Sequence, residues 1–136
     1  MEQTSSAATE ASAAEQSLYQ RLGGYDAICA ATDDLLGRAM NDPRISAYWK
    51  GLNTENKRKA RQQLVDFMAS AAGGPAYYIG ADMKAAHAGM GISEADWAAL
   101  VEHTHAMMDH LQVGSREQGE ILAFLDSLKD DIVEVH

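Results

Sequence analysis

The chain has 136 residues, a net charge of −9 and a pI near 4.8. This length fits one domain. The acidic excess argues against a nucleic-acid partner, because proteins bind nucleic acid by neutralising its phosphates with cations.

Two further classes of protein are disfavoured by the sequence. No apolar run approaches the roughly 18 residues of a membrane-spanning helix, so we expect no membrane span. The single cysteine, Cys29, leaves no partner for an intrachain disulfide and no cysteine-based zinc site. Because it stands in the apolar run AICAAT, Cys29 is interpreted as a buried, inert thiol.

The first 16 residues differ from the rest, since they contain no aromatic and, after Met1, no large aliphatic side chain. Such a segment cannot bury enough apolar area to offset its ordering entropy. We therefore expect a flexible N-terminal tail over 1–16 and one domain over 17–136. The tail lacks the basic and apolar regions of a signal peptide, which favours a cytoplasmic location. The alternative is a polar stub left after removal of such a peptide, and hence a periplasmic location.

From residue 17 onward the sequence predicts helices, and period-two strand alternation is absent. The expected ranges are 17–22, 25–40, 55–72, 93–111 and 115–133. Helix starts are marked by capping residues, namely Ser17 with Gln20, Asn53 or Thr54, Ser93 with Asp96, and Ser115 with Gln118. Breaks fall at Gly23-Gly24, Asn41-Asp42-Pro43 and Gly73-Gly74-Pro75. The predicted fold class is all-α.

Residues 73–92 are the exception, because they form a long segment with little periodicity. Loops of this length inside a compact domain are usually functional or disordered. Six of its large apolar side chains are expected to be buried: Tyr77, Tyr78, Ile79, Met83, Met90 and Ile92. His87 stands among alanines in this segment, which leaves room for something large beside its imidazole.

Four stretches together resemble the group I truncated haemoglobins: LYQRLGGYDAI, NDPRISAYW, AAGGPAYYIGADMKAAHAGMGIS and KDDIV. The resemblance covers about residues 18–133, and it includes both double glycines, at 23–24 and 73–74. It implies a shortened globin, a two-over-two helical sandwich around one haem b. The partners that it implies are O₂, NO or CO.

By this resemblance His87 is the proximal ligand of the haem iron, which leaves the sixth position open for a diatomic gas. Met83, one helical turn earlier, would touch the proximal face of the haem. Tyr78 and Lys84 would meet the haem propionates. Arg58 or Arg61 of the basic third helix could do the same, the alternative being that this basic run is a solvated helix face. The apolar pocket is expected to be lined by Phe67, Met68, Ile92, Trp97 and Val101.

On the distal side the chain departs from the family, which commonly has a Phe-Tyr pair where this sequence reads Leu35-Leu36. Leu36 cannot supply the hydroxyl that donates to bound O₂. The family's distal glutamine aligns with Leu64, with Gln63 just before it. The candidate donors are therefore Trp49, Tyr48 and Gln63, and we favour Trp49 or Tyr48. No histidine lies on the distal helix.

Two alternative uses of charged residues are open. Lys57 or Lys59 could ligate iron if deprotonated. His103, His105 and His110 lie with Asp109 on one predicted helix, at spacings that a surface metal site could use. Their split over two helix faces favours a solvated helix side instead.

Three functions compete at this point. The first is a haem protein that binds O₂, NO or CO for oxygen binding, transport or sensing. The second is a haem enzyme, a nitric oxide dioxygenase or a peroxidase-like protein, which would need an external reductase. The third is a haem-free helical interaction module, which would be colourless.

Overall fold

The computed structural model describes residues 16–136, so the predicted tail lies outside the described residues except for Gln16. Six α-helices and one 3-10 helix make up this part of the chain. Their bounds are α1 (Leu18–Leu22), α2 (Tyr25–Met40), the 3-10 helix (Ser46–Trp49), α3 (Thr54–Ala71), α4 (Met83–His87), α5 (Glu94–His110) and α6 (Ser115–Ile132). The only β feature over 16–136 is an isolated bridge between Ser93 and Val135. The predicted all-α class is confirmed.

Most helices begin at the capping residues from which their starts were predicted. Ser17 forms a capping box with Gln20, and Asn53 accepts a hydrogen bond from the third residue of α3. Ser93 and Asp96 form the second capping box. The predicted box at Ser115 is wrong, because α6 has Gly114 as its N-cap and no side-chain cap.

The segment over 73–92 holds the largest differences from the prediction. It contains the short helix α4, which the sequence did not indicate, with Asp82 as its N-cap. The expectation of burial is wrong for Met90, which is 38% exposed, and for Tyr77 and Ile79, which are 88% and 94% exposed. Tyr78 between them is partly buried. The extended stretch therefore alternates, with one side chain inward and its two neighbours outward.

The four long helices pack as two layers with an apolar cavity between them. α2 lies against both α3 and α5. Ile28 of α2 packs with Val65 and Ala69 of α3, while Leu35 of α2 packs with Met107 and Met108 of α5. α6 covers α5 through Ile121, Leu122, Leu125 and Leu128. Among the described helices none is both long and apolar enough to cross a membrane.

Gly73 and Gly74, which follow α3, lie so close to the start of α1 that a side chain at either position would collide with it. A Cβ on Gly74 would lie 2.5 Å from the ring of Tyr19, and a Cβ on Gly73 would lie 2.9 Å from the Cβ of Ser17. The Tyr19 amide also donates to the carbonyl of Ala72, at 2.9 Å. Larger residues at 73 or 74 would push α1 away from the end of α3. The short first helix is thus fastened where the chain enters the loop that carries His87.

Candidate functional site

A cavity of about 490 Å³ lies between the two helical layers. This volume falls in the range of roughly 300–1,000 Å³ that is typical of small-molecule and cofactor sites. All four long helices, the 3-10 helix and α4 contribute side chains to its wall. The wall is mostly aliphatic, aromatic and methionine, with a small number of polar groups.

Most residues that the sequence assigned to a haem pocket line this cavity. They are Leu36, Tyr48, Trp49, Gln63, Leu64, Phe67, Met68, Tyr78, Met83, His87, Ile92 and Trp97. Lys84 and Val101 do not line it. Lys84 is exposed on α4, and Val101 lines a second, smaller hollow of about 290 Å³ between α5 and α6. Helix geometry separates Val101 from the cavity, because residues 97, 100, 104 and 107 form the stripe that faces it.

His87 is the last residue of α4, and its imidazole is part of the cavity wall. Its Nδ1 lies 2.8 Å from the carbonyl oxygen of Met83. A carbonyl oxygen only accepts, so in the neutral imidazole Nδ1 carries the proton and Nε2 holds the free lone pair. This is the tautomer, fixed by a backbone hydrogen bond, that metal-ligating histidines commonly have.

Tyr48 and Asp96 form a polar pair in the cavity wall. The Tyr48 hydroxyl donates to Oδ2 of Asp96 at 2.6 Å, and the same oxygen accepts from the Ser93 amide at 3.1 Å. The hydrogen bond to Asp96 raises the pKa of Tyr48 to about 12. In return, the hydrogen bond from Tyr48, followed by that from Ser93, lowers the pKa of Asp96. Because the hydroxyl proton is already engaged, the geometry does not favour Tyr48 as a donor to a gas ligand.

Two other residues that line the cavity have donors without a hydrogen-bond partner within 16–136, the indole N–H of the partly buried Trp49 and the amide of the exposed Gln63. Trp49 packs edge-on against Tyr48, with ring centroids 6.4 Å apart. Gln62 lies elsewhere on α3, where its amide donates to the Tyr25 hydroxyl and to Asp66. The lysines that we considered as iron ligands, Lys57 and Lys59, are exposed and do not line the cavity.

Of the residues expected to meet the haem propionates, two are already engaged with other parts of the chain and two are not. The Tyr78 hydroxyl donates to the carbonyl of Ala81, while its ring packs edge-on against Phe67. Arg61 is paired with Asp33 of α2 through bonds of 2.6 and 3.0 Å, which holds it on the α2 side of α3. Neither Arg58 nor Lys84 forms an ion pair among the described residues. Of the cationic residues expected at the propionates, these two therefore have side chains that are not paired with a described carboxylate.

Sequence reasoning missed the contribution of α6 to the cavity, which comes from Ile121, Phe124, Leu125, Leu128 and Ile132. Four of them, Ile121, Leu125, Leu128 and Ile132, recur at helical spacing, and this apolar stripe was the signal that the sequence offered. Phe124 lies outside that stripe, and it packs on Phe67 with centroids 5.8 Å apart. Thr104, Leu100 and Met107 of α5 were also missed as wall residues.

The histidines of α5 do not form a metal site. Over residues 16–136, no group of three or more His, Cys, Asp or Glu side chains could hold a metal ion. His103 is not solvated as expected, because its Nε2 lies 2.6 Å from Oδ2 of the buried Asp42. The prediction for Cys29 is also inaccurate, since the thiol is only partly buried at the edge of the cluster around Ile28.

Asp42 lies just after the end of α2 and contacts His103 of α5. It also begins the turn that leads to the 3-10 helix, whose side chains line the cavity. Its carboxylate accepts from the backbone and guanidinium of Arg44 at 2.7–3.1 Å. Arg44 also pairs with Glu102 of α5 at 2.6 Å. The side-chain bond from Arg44, then its backbone bond, then His103 lower the pKa of Asp42 well below its usual range.

We expect Asp42→Asn to lower stability at pH 7 and to lose this effect in acid. A carboxyl whose pKa is depressed by folding stabilises the fold above its unfolded pKa of about 3.9, and this contribution disappears as the pH falls toward the folded pKa. Urea unfolding from pH 7 to pH 3 should show the two proteins converging below about pH 4. Asp109→Asn, on the exposed side of α5, is the control. A gap that stayed constant with pH would contradict the ion-pair explanation.

The residues of the cavity fit a haem. The wall is apolar enough to shelter a porphyrin, and it carries one imidazole with a free Nε2. Haem iron commonly takes such a neutral imidazole as its protein ligand. A helical sandwich around a cavity of this kind is the architecture of a globin.

Comparison with known proteins gives the family. The sequence profile of the bacterial-like globins matches residues 17–134. The group 1 truncated hemoglobin GlbN of Mycolicibacterium paratuberculosis is 33% identical over 116 residues, which are 85% of this chain and 83% of that protein. The group 1 truncated hemoglobin of Tetrahymena thermophila is 28% identical over 86% of this chain and 94% of its own.

Comparison with solved structures leads to the same family. The truncated hemoglobin of Tetrahymena pyriformis in its Fe(III) form matches with a TM-score of 0.77 at 28% identity, covering 87% of this chain and 98% of that one. The 2/2 hemoglobin of Synechococcus sp. PCC 7002, a cyanomet form with covalently attached heme, matches with a TM-score of 0.78 at 26% identity and the same coverage. The chain belongs to the group I truncated haemoglobins. It is a haem protein of a family that binds small diatomic gases.

Proposed function

We propose that this protein binds O₂, NO or CO reversibly at the ferrous iron of a haem b whose proximal ligand is His87, for oxygen binding, transport or sensing. The observation that carries the proposal is the hydrogen bond from His87 Nδ1 to the Met83 carbonyl. It leaves Nε2 of a cavity-lining imidazole free to bind a metal. When bound, the haem supplies an iron with one open coordination position for a gas.

The chain's own residues perform three tasks in this proposal. His87 would supply the nitrogen that holds the iron, and the hydrogen bond to the Met83 carbonyl would keep its tautomer and ring orientation. The apolar wall, with Leu36, Leu64 and Phe67 among its members, excludes water from the iron. Trp49 and Gln63 offer unengaged N–H groups to a bound gas.

Haem b is favoured over a covalently attached haem by the chemistry of the wall. Thioether attachment needs a cysteine, and the chain's one cysteine, Cys29, does not line the cavity. A second histidine in the wall could also attack a haem vinyl group, but within 16–136 His87 is the only histidine among the lining residues. The haem would therefore be held without a covalent attachment, by His87 at its iron, by apolar contact, and by Arg58 or Lys84 at its propionates.

The second candidate, a nitric oxide dioxygenase or peroxidase-like enzyme, would use the same cavity and an external reductase. No described contact favours it over reversible binding. The two functions differ in the steps after gas binding, so kinetics separates them. Rapid nitrate formation when NO meets the oxygenated protein, with turnover sustained by an added reductase, would favour the enzyme.

The proposal is tested by the absorption spectrum of the purified protein as isolated, after reduction, and after reduction with CO. A Soret band that shifts on CO addition is expected, with a five-coordinate spectrum before it. Extraction of the haem into acidified organic solvent should succeed, because no covalent bond retains it. A protein that stays colourless when haem is supplied would overturn the proposal.

A further inference from the structure

The helix that carries His87 is too short to hold its own position. α4 has five residues, whereas isolated helices shorter than about 12–15 residues are marginal in water. Its start is fixed by Asp82, whose carboxylate accepts from the Ala85 amide at 2.8 Å. Its end, where the imidazole lies, must be held by something beyond the helix itself.

The turn after His87 is shaped by two glycines and closed by a distant carboxylate. Gly89 and Gly91 have φ angles of 81° and 68°, in the left-handed region. Their amides donate to the two oxygens of Glu134, at 3.0 and 2.8 Å. Successive amides in such a turn form a concave site for anions, and here Glu134 fills it. Both hydrogen bonds are of the charge-assisted, stronger kind.

Glu134 is itself held firmly, as part of a strap that we define as residues 133–136. The amides of Glu134 and Val135 both donate to the carbonyl of Ile92, at 2.8 and 3.1 Å. The Val135 carbonyl accepts from the Glu94 amide at 3.1 Å, at the first residue of α5. Val133 is buried in a cluster with Ile92. The strap is thus anchored to the start of α5.

The carboxylate form of Glu134 is the one that fits this turn. The bonds from Gly89 and then Gly91 lower the pKa of Glu134, so the side chain is ionised at neutral pH. A neutral amide in its place would accept from one glycine but would turn its own NH₂ toward the other.

We propose that Glu134 is a positioning residue for His87: by binding the amides of Gly89 and Gly91, it fixes the end of α4 and with it the orientation of the imidazole. This inference rests on the proposed role of His87 as the haem ligand. The side chain of Glu134 does not line the cavity. It acts through the turn of residues 88–91, which joins His87 to the strap.

The test compares Glu134→Gln with a matched control, Glu94→Gln. Glu94 also engages this region, through Lys129 at 2.8 Å and His136 at 3.1 Å, but its side chain does not contact the glycine turn. Resonance Raman spectra of the ferrous, haem-loaded proteins report the iron–histidine stretching band. Transfer of haem to an excess of a haem-free globin reports the rate of haem loss.

We expect Glu134→Gln to shift and broaden the iron–histidine band and to speed haem loss about tenfold, as loss of one charge-assisted bond predicts. Glu94→Gln should match the unmodified protein. Glu134→Asp, which keeps the charge but is one methylene shorter, should give an intermediate shift, and it serves as the test if Glu134→Gln does not fold.

Two results would overturn the inference. One is a Glu134→Gln protein with an unchanged band and rate of haem loss. The other is an equal effect of Glu94→Gln, which would mean general loosening of the strap. Failure of the proposed function has a different signature, since the unmodified protein would then show no iron–histidine band. Amide exchange at Gly89 and Gly91 in the haem-free protein provides a separate readout, and it should accelerate in Glu134→Gln.

Discussion

A His87→Gly protein should fold but bind haem more than about 100-fold more weakly than the unmodified protein. Loss of an outer-shell partner of a metal ligand already costs about 10- to 100-fold in affinity, and here the ligand itself is removed. Among the described residues that line the cavity, His87 is the one histidine, so no second imidazole can replace it. The fold should survive, because His87 ends a short helix and belongs to no buried cluster.

The measurement is a titration of the haem-free protein with haem, followed in the Soret region and repeated with free imidazole. Imidazole should enter the space left by the side chain and restore a spectrum close to that of the unmodified protein. His105→Ala, at an exposed position of α5, is the matched control and should bind haem normally. A His87→Gly protein with full occupancy and an unchanged ferrous spectrum, without imidazole, would refute the ligand assignment.

Local sequence signals predicted the helices well because caps and breaks act over a few residues. Ser17 and Ser93 each meet their partner three residues later, so the pattern contains the whole interaction. Ser115 fails although it shows the same spacing. Its would-be partner, Gln118, instead donates to the carbonyl of Val113 at 2.9 Å, and the helix begins after Gly114. Gly114 and Ser115 are adjacent, and either could be the N-cap of α6. The spacing of Ser115 and Gln118 in the sequence does not show which of the two it is.

The candidate site was predictable where a helix stripe or a family motif marks it, as for Phe67, Met68 and Trp97. It was not predictable where the outcome depends on contacts between distant parts of the chain. Tyr48 meets Asp96 across 48 positions, and Glu134 meets Gly91 across 43. No local pattern contains either pair. The first changes which groups are free to donate in the cavity, and the second closes the turn that follows α4.

On the distal side, Gln63→Leu and Trp49→Phe should speed O₂ release from the ferrous, haem-loaded protein, whereas Tyr48→Phe should not. Bound O₂ carries partial negative charge, and a hydrogen bond to a charged partner contributes about 1.5–3 kcal/mol. Loss of such a bond corresponds to roughly 10- to 100-fold faster release. Gln63 and Trp49 have donors in the cavity wall without a partner within 16–136. The Tyr48 proton is held by Asp96 at 2.6 Å.

Stopped-flow measurement of O₂ dissociation on the three single variants and on the Gln63–Trp49 double variant separates these roles. The double variant should release O₂ at least as fast as the faster single variant. Tyr48→Phe should instead lower the free energy of unfolding by about 1 kcal/mol, because Asp96 loses one of its hydrogen bonds. Faster release in Tyr48→Phe alone would show that the hydroxyl leaves Asp96 when a gas binds. In that case the Tyr48 hydroxyl would donate to Asp96 in the gas-free protein and would turn to donate to the gas when it binds.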